Sequence, residues 1–121
     1  MSASPENTSK FTVHAFAEGS TFRFQCTGEL DSAASDRLRP VVGEKLVDQD
    51  VVEAVFDLRD VWFLDTSGLE VVVRAFQELE KRGGRVVVEA ALHTQPATML
   101  MLSHLTTLFN VVWHDKPKDS P

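Results

Sequence analysis

Cysteine is almost missing from this sequence: Cys26 stands alone, so no internal disulfide can form. Its place in an alternating apolar pattern favours a buried, inert thiol over a redox role. A reducing, cytoplasmic setting is the matching expectation. Basic residues are also in deficit. Twelve Lys and Arg stand against eighteen Asp and Glu, for a net charge of −6. With no basic cluster, that balance argues against binding a phosphate backbone. It eases docking onto a basic protein surface. No apolar run approaches the ~18 residues of a membrane-spanning helix. The opening MSASPENTSK lacks the apolar stretch of a secretory signal. We expect a disordered leader over 1–10, one domain over 11–114 and a flexible tail over 115–121.

Catalytic sets are missing as well. The G-x-S-x-G of a serine hydrolase is not found at Ser67, which follows Asp65 and Thr66. The four histidines, His14, His93, His104 and His114, show no H-x-x-x-H spacing and accompany only one cysteine, so no metal set is expected. The motif DTSG resembles the D-T-G of aspartic proteases, but Ser67 interrupts it and a second such acid would have to come from a homodimer. RGGR lacks the lysine and hydroxyl of a phosphate-binding loop. Asp57 closes a strand as the acceptor of a phosphoryl receiver would. Yet the first strand ends in FAEGS, with only Glu18 where a receiver needs an acidic pair. The expectation is a protein that is not an enzyme and has no cofactor of its own.

What is present is a regular alternation of strands and helices. FTVHAF and TFRFQCTG alternate across a turn at Gly19 and predict an antiparallel hairpin, with Phe22, Phe24 and Cys26 on one face. Residues 29–50 read as a helix capped by Asp31 or Ser32, with Leu38, Val41, Val42 and Leu46 inward. Pro40 predicts a kink there or a break into two pieces. VVEAVFDL reads as a strand buried on both faces, and RDVWF as a loop. Leu69, Val72, Val73, Phe76 and Leu79 recur at helical spacing. Arg74, Gln77, Glu78, Lys81 and Arg82 face outward, and Gly83 and Gly84 stop the helix. RVVVEAA is a strand, TQPATMLMLSHL a helix with Pro96 in its first turn, and LFNVVWH a last strand. The fold class is α/β: one domain with a small mixed sheet, an N-terminal hairpin plus parallel strands, packed with helices.

One stretch, LDTSGLE, gathers an acid, two hydroxyls and a glycine before an apolar-periodic run. Ser67 and Glu70 stand in the S-x-x-E relation of a capping box, so Ser67 or Thr66 is expected to accept an amide hydrogen bond. Gly68 permits close backbone approach. The same place, a helix start after a parallel strand, is where α/β sheets put functional groups, and free amides there favour negative charge. Phosphorylation of such a hydroxyl adds about −1.5 to −2 charges. With Asp57, Asp60, Asp65 and Glu70 nearby against Arg59 alone, it would sharpen a negative patch.

DLRDVWFLDTSGLEVVVRAF resembles the signature of STAS domains, the sulfate-transporter and anti-sigma-factor-antagonist module. GELD, Gly28 to Asp31, matches its second landmark, and GGRVVV and LFNVVW follow in order. The resemblance covers about residues 11 to 114. It implies an anti-anti-sigma factor that binds an anti-sigma factor which is also a serine kinase. That kinase, with its own ATP and magnesium, phosphorylates the antagonist and lets it go, and a phosphatase restores binding. By position the acceptor is Ser67, with Thr66 the weaker candidate. Asp31 and Asp65 would flank it, and Gly68 and Glu70 would share the partner surface. Glu70, Trp62 and Pro40 depart from the family pattern. The same fold also serves as a non-switching subunit of stress-sensing scaffolds or membrane lipid transporters, where Ser67 would only cap its helix. A monomer or weak dimer is expected, with Val71 and Trp62 exposed for contacts.

Overall fold

The computed structural model describes residues 11–118; the leader expected over 1–10, and positions 119–121 of the tail, lie outside the described residues. The chain runs β1 (Phe11–Glu18), β2 (Thr21–Leu30), α1 (Ser32–Leu46), β3 (Glu53–Leu64), α2 (Thr66–Glu80), β4 (Arg85–Ala91), α3 (Gln95–Ser103), a short 3-10 turn (Leu105–Thr107) and β5 (Asn110–His114). One five-stranded sheet results, in the order β1-β2-β3-β4-β5. The β1–β2 pair is the expected antiparallel hairpin, and the remaining three pairs are parallel. Right-handed crossovers that all step the same way put every connecting helix on one face.

That face is dry. Phe24 and Phe56 stack with ring centroids 5.1 Å apart, and Leu38, Val42, Leu69, Val72, Ala75 and Leu79 from the helices pack over them. Val71, expected to be exposed, is buried, because α2 packs against α1 as well as the sheet and so buries a wider arc than one stripe. Trp62 is exposed as expected, at 55%. Its indole N–H donates to Glu29.

The opposite face carries a charged lattice in place of a second layer. Asp57, only 2% exposed, accepts two hydrogen bonds from the Arg59 guanidinium, at 2.9 and 2.7 Å. Arg23 reaches both Asp57 and Glu89, and Glu89 also meets Arg59 and His114. Four adjacent strands are cross-linked in this way, and residues 54–58 are buried on both faces, as expected. Burial pushes the Asp57 carboxyl up, but the hydrogen bonds and charge of Arg59, with Arg23 behind, outweigh it and hold the group below the usual carboxylate range. Burial, with Asp57 adding to it, raises the Cys26 thiol far above its ordinary value, which keeps it protonated and inert.

Four local expectations are corrected. RDVWF is strand, not loop: β3 continues to Leu64, pairing with β2 as far as Leu30, across register shifts at Gln25/Thr27 and Gly28/Glu29. Gly28 adopts φ 109° at the second shift, a backbone that favours glycine. Pro40 does not divide its helix; α1 is continuous, because Pro40 and Asp36 lie on the exposed side, where the carbonyl that proline leaves unpaired is open to solvent. Arg82 does not face outward. Its guanidinium donates to the carbonyls of Leu46, Asp48 and Val51, tying the end of α2 to the end of α1. His104 terminates α3 at φ 62° and is not inside the helix. Gly83 supplies the left-handed stop after α2.

Asp57→Asn should cost about 3 kcal/mol at neutral pH, by removing one of the two acids that face a pair of arginines mostly out of water and leaving Glu89 alone between them. The pH signature follows from the depressed carboxyl. Its stabilisation is complete above the unfolded-state value near 4 and disappears as pH falls through the lower folded-state value. Urea melts from pH 6 to pH 2 should therefore show a shallower acid decline in the variant than in the parent.

Candidate functional site

The carboxyl end of β3 delivers LDTSG to the start of α2. Beyond Asp57, β3 has no pairing to β4. The Gln95 side chain fills the vacated edge: its oxygen accepts from the Leu64 N–H at 2.7 Å and its amide donates to the Leu64 carbonyl at 2.9 Å. The residue just before Asp65 is thus held on both sides, since the Asp65 N–H itself reaches Leu30 on β2.

Asp65 is the N-cap of α2, and Thr66 and Ser67 are already helical. The expected capping box does not form. One Asp65 oxygen accepts from the N–H of Ser67 at 3.0 Å and of Gly68 at 3.3 Å. A carboxylate is a charge-assisted acceptor, so it takes the cap from a hydroxyl two residues later. Two of the amides expected to be free for an added anion, those of Ser67 and Gly68, are therefore occupied. The same oxygen accepts the Ser67 hydroxyl proton in a 2.5 Å contact.

Gly68 is buried against the strands. A Cβ there would sit 2.6 Å from a Leu64 methyl and 2.8 Å from Leu30, so only glycine lets α2 start this close to the sheet. Ser67 is half-buried, while Thr66 and Glu70 are exposed. Asp31 caps α1 by accepting from the Ala34 N–H. The α1 residue that touches the Ser67 hydroxyl is Ser35, whose Oγ lies 3.2 Å from Ser67 Oγ.

The charge around Ser67 differs from the sequence expectation. Asp57 and Arg59 satisfy each other on the far face of the sheet and drop out. Asp65 is in direct contact, Asp31 heads the neighbouring helix, and Glu70 follows one turn along α2. The site therefore brings together a hydroxyl, a carboxylate partner and an acidic rim. Ser35 and Gln95 escaped sequence reasoning, because each acts across more than thirty residues of chain. Among the described residues no His, Cys, Asp and Glu group is placed to hold a metal ion, and no helix is long and apolar enough to cross a membrane.

Asp65→Ala should remove three hydrogen bonds at once and destabilise the domain by about 1–2 kcal/mol. Thermal unfolding should register this as a midpoint lower by roughly 4–8 °C. Glu70→Ala removes no cap contact and should leave the midpoint unchanged.

Residues 16–114 match the STAS domain family. A curated relative, the anti-sigma F factor antagonist of Paenibacillus polymyxa, is 31% identical over 62 residues, which span 51% of this chain and 53% of that protein. A crystal structure of an anti-sigma factor antagonist from Mycobacterium paratuberculosis superposes with a TM-score of 0.73 at 23% identity, over 84% of each chain. The antagonist SpoIIAA in its unphosphorylated form gives 0.65 at 22% identity over 87% of each chain. The Bacillus cell fate determinant SpoIIAA in its phosphorylated form gives 0.63 at 21%, over 84% of this chain and 90% of that one. These likenesses place a mixed sheet with helices on a known fold, and the sequence match extends through the LDTSG site: the chain belongs to the STAS domain family.

Proposed function

We propose that this protein is an anti-sigma factor antagonist. In this reading it binds an anti-sigma factor that is also a serine kinase, and is released when Ser67 is phosphorylated. Sigma-factor-dependent transcription is regulated by that exchange of partners, and a phosphatase resets it. The observation that carries the reading is the Ser67 hydroxyl, half-buried at the head of α2 and bonded to the Asp65 carboxylate. Relatives with the same fold are antagonists, and SpoIIAA has been solved with and without its phosphate.

The local geometry supports repulsion as the release mechanism. A phosphorylated Ser67 has no proton to give Asp65 and sets a dianion against its carboxylate. The Ser67 and Gly68 amides are already taken by Asp65, so those two offer the phosphate no ready neutralisation. The added charge turns outward, toward the rim of Asp31 and Glu70, where a docked partner would lie. Thr66, exposed beside it, is the weaker acceptor.

A second reading is favoured by the two bonds Ser67 already makes within the fold: its proton serves Asp65 and its oxygen also meets Ser35. In that case Ser67 is a structural part of the helix start, in a non-switching subunit of a stress-sensing scaffold or of a membrane lipid transporter.

Incubation with the cognate kinase and magnesium ATP, followed by mass spectrometric mapping, should place one phosphate on Ser67 and none in Ser67→Ala. Ser67→Asp should weaken kinase binding about tenfold or more, equivalent to ~1.4 kcal/mol. Unchanged affinity in that variant, with a transporter ATPase or a large scaffold recovered from native cells, would favour the second reading.

A further inference from the structure

We propose that Ser35 is a positioning residue for the Ser67 hydroxyl, aiming its one free lone pair at an incoming phosphoryl group. The inference rests on the reading of Ser67 as a phosphate acceptor. Ser35 is fully buried in α1, at 0% exposure. A buried hydroxyl requires a partner, and Ser67 Oγ stands at 3.2 Å.

The direction of that bond follows from counting hydrogens. A serine hydroxyl owns one proton and two lone pairs. The Ser67 proton goes to Asp65, whose carboxylate oxygen is an acceptor. Ser67 therefore has nothing to donate to Ser35, and Ser35 donates to Ser67. A relay runs from Ser35 through Ser67 to Asp65. It occupies the Ser67 proton and one lone pair, and leaves the second lone pair open.

Two fixed partners on opposite helices select one of the three staggered side-chain wells. In phosphoryl transfer from the nucleoside triphosphate of the kinase, the open lone pair forms the new Oγ–P bond. The bond from phosphorus to the leaving nucleoside diphosphate breaks, and the hydroxyl proton passes to the Asp65 carboxylate. Ser35 touches neither phosphorus nor leaving group. Its part is to keep the nucleophile in the reactive orientation before the kinase arrives. It also makes α1 sense the modification, because esterified Ser67 must turn away from Asp65 and thereby abandons the Ser35 hydroxyl.

The test is Ser35→Ala, read in two ways. NMR three-bond couplings between the Ser67 α and β protons should change from those of one dominant rotamer to averaged values. With the cognate kinase and magnesium ATP, kcat should fall by up to about threefold, the limit for a hydroxyl that Asp65 alone does not keep out of the other two wells, with KM unmoved. Ser35→Thr, which retains the hydroxyl, should restore both readouts; if its extra methyl prevents folding, the alanine couplings decide alone. A single Ser67 rotamer in Ser35→Ala, or an unchanged kcat, overturns the proposal. Parent protein that takes no phosphate overturns the reading of Ser67 instead, and the couplings still report on Ser35.

Discussion

The hold of the Asp65 carboxylate on the first turn of α2 is the interaction on which the rest of the site depends. One oxygen takes two backbone amides and a hydroxyl, which sets where the helix begins and, together with Ser35, which way Ser67 points. Without it the helix start would lose its strongest local determinant, and Ser67 would revert to an ordinary cap. The helix start and the Ser67 hydroxyl therefore share one atom. The partner that orders the loop is also the group that meets the hydroxyl proton.

The two faces of the sheet divide the remaining work. On the helix face, apolar packing brings Gly68 against Leu30 and Leu64 with no room for a methyl group. On the other face, ion pairs among Arg23, Asp57, Arg59 and Glu89, and a hydrogen bond between Glu89 and His114, bind β2 to β5. Each acid there lies beside an arginine, so the lattice adds little net field at the opposite end of the strands. The acidic character near Ser67 is consequently a local property of the two helix heads.

Much of the fold was readable in the residues. The hairpin, the parallel order and the three helices followed from period-2 and period-3.6 patterns, since burial on a single helix-covered face leaves those periods intact. The end of β3 was not readable. Irregular pairing with β2 disrupts the alternation from Val61 to Leu64, and a glutamine side chain replaces the missing neighbour strand. LDTSG could be picked out because acid, hydroxyl and glycine lie side by side in sequence. Ser35 could not, because its meeting with Ser67 is created by helix packing alone. The capping role was assigned to the wrong member of the motif. Spacing alone does not rank a carboxylate against a hydroxyl competing for the same amides.

Helices α1 and α2 each span 15 residues, or about 22 Å. Their heads meet through the Ser35–Ser67 pair, and the Arg82 guanidinium fastens their tails. Two parallel rails with a rung at either end make a braced frame, which resists sliding of one rail past the other. Loss of the upper rung leaves the lower one fastened, so any parting of the rails is widest at the Ser67 end and vanishes toward Arg82.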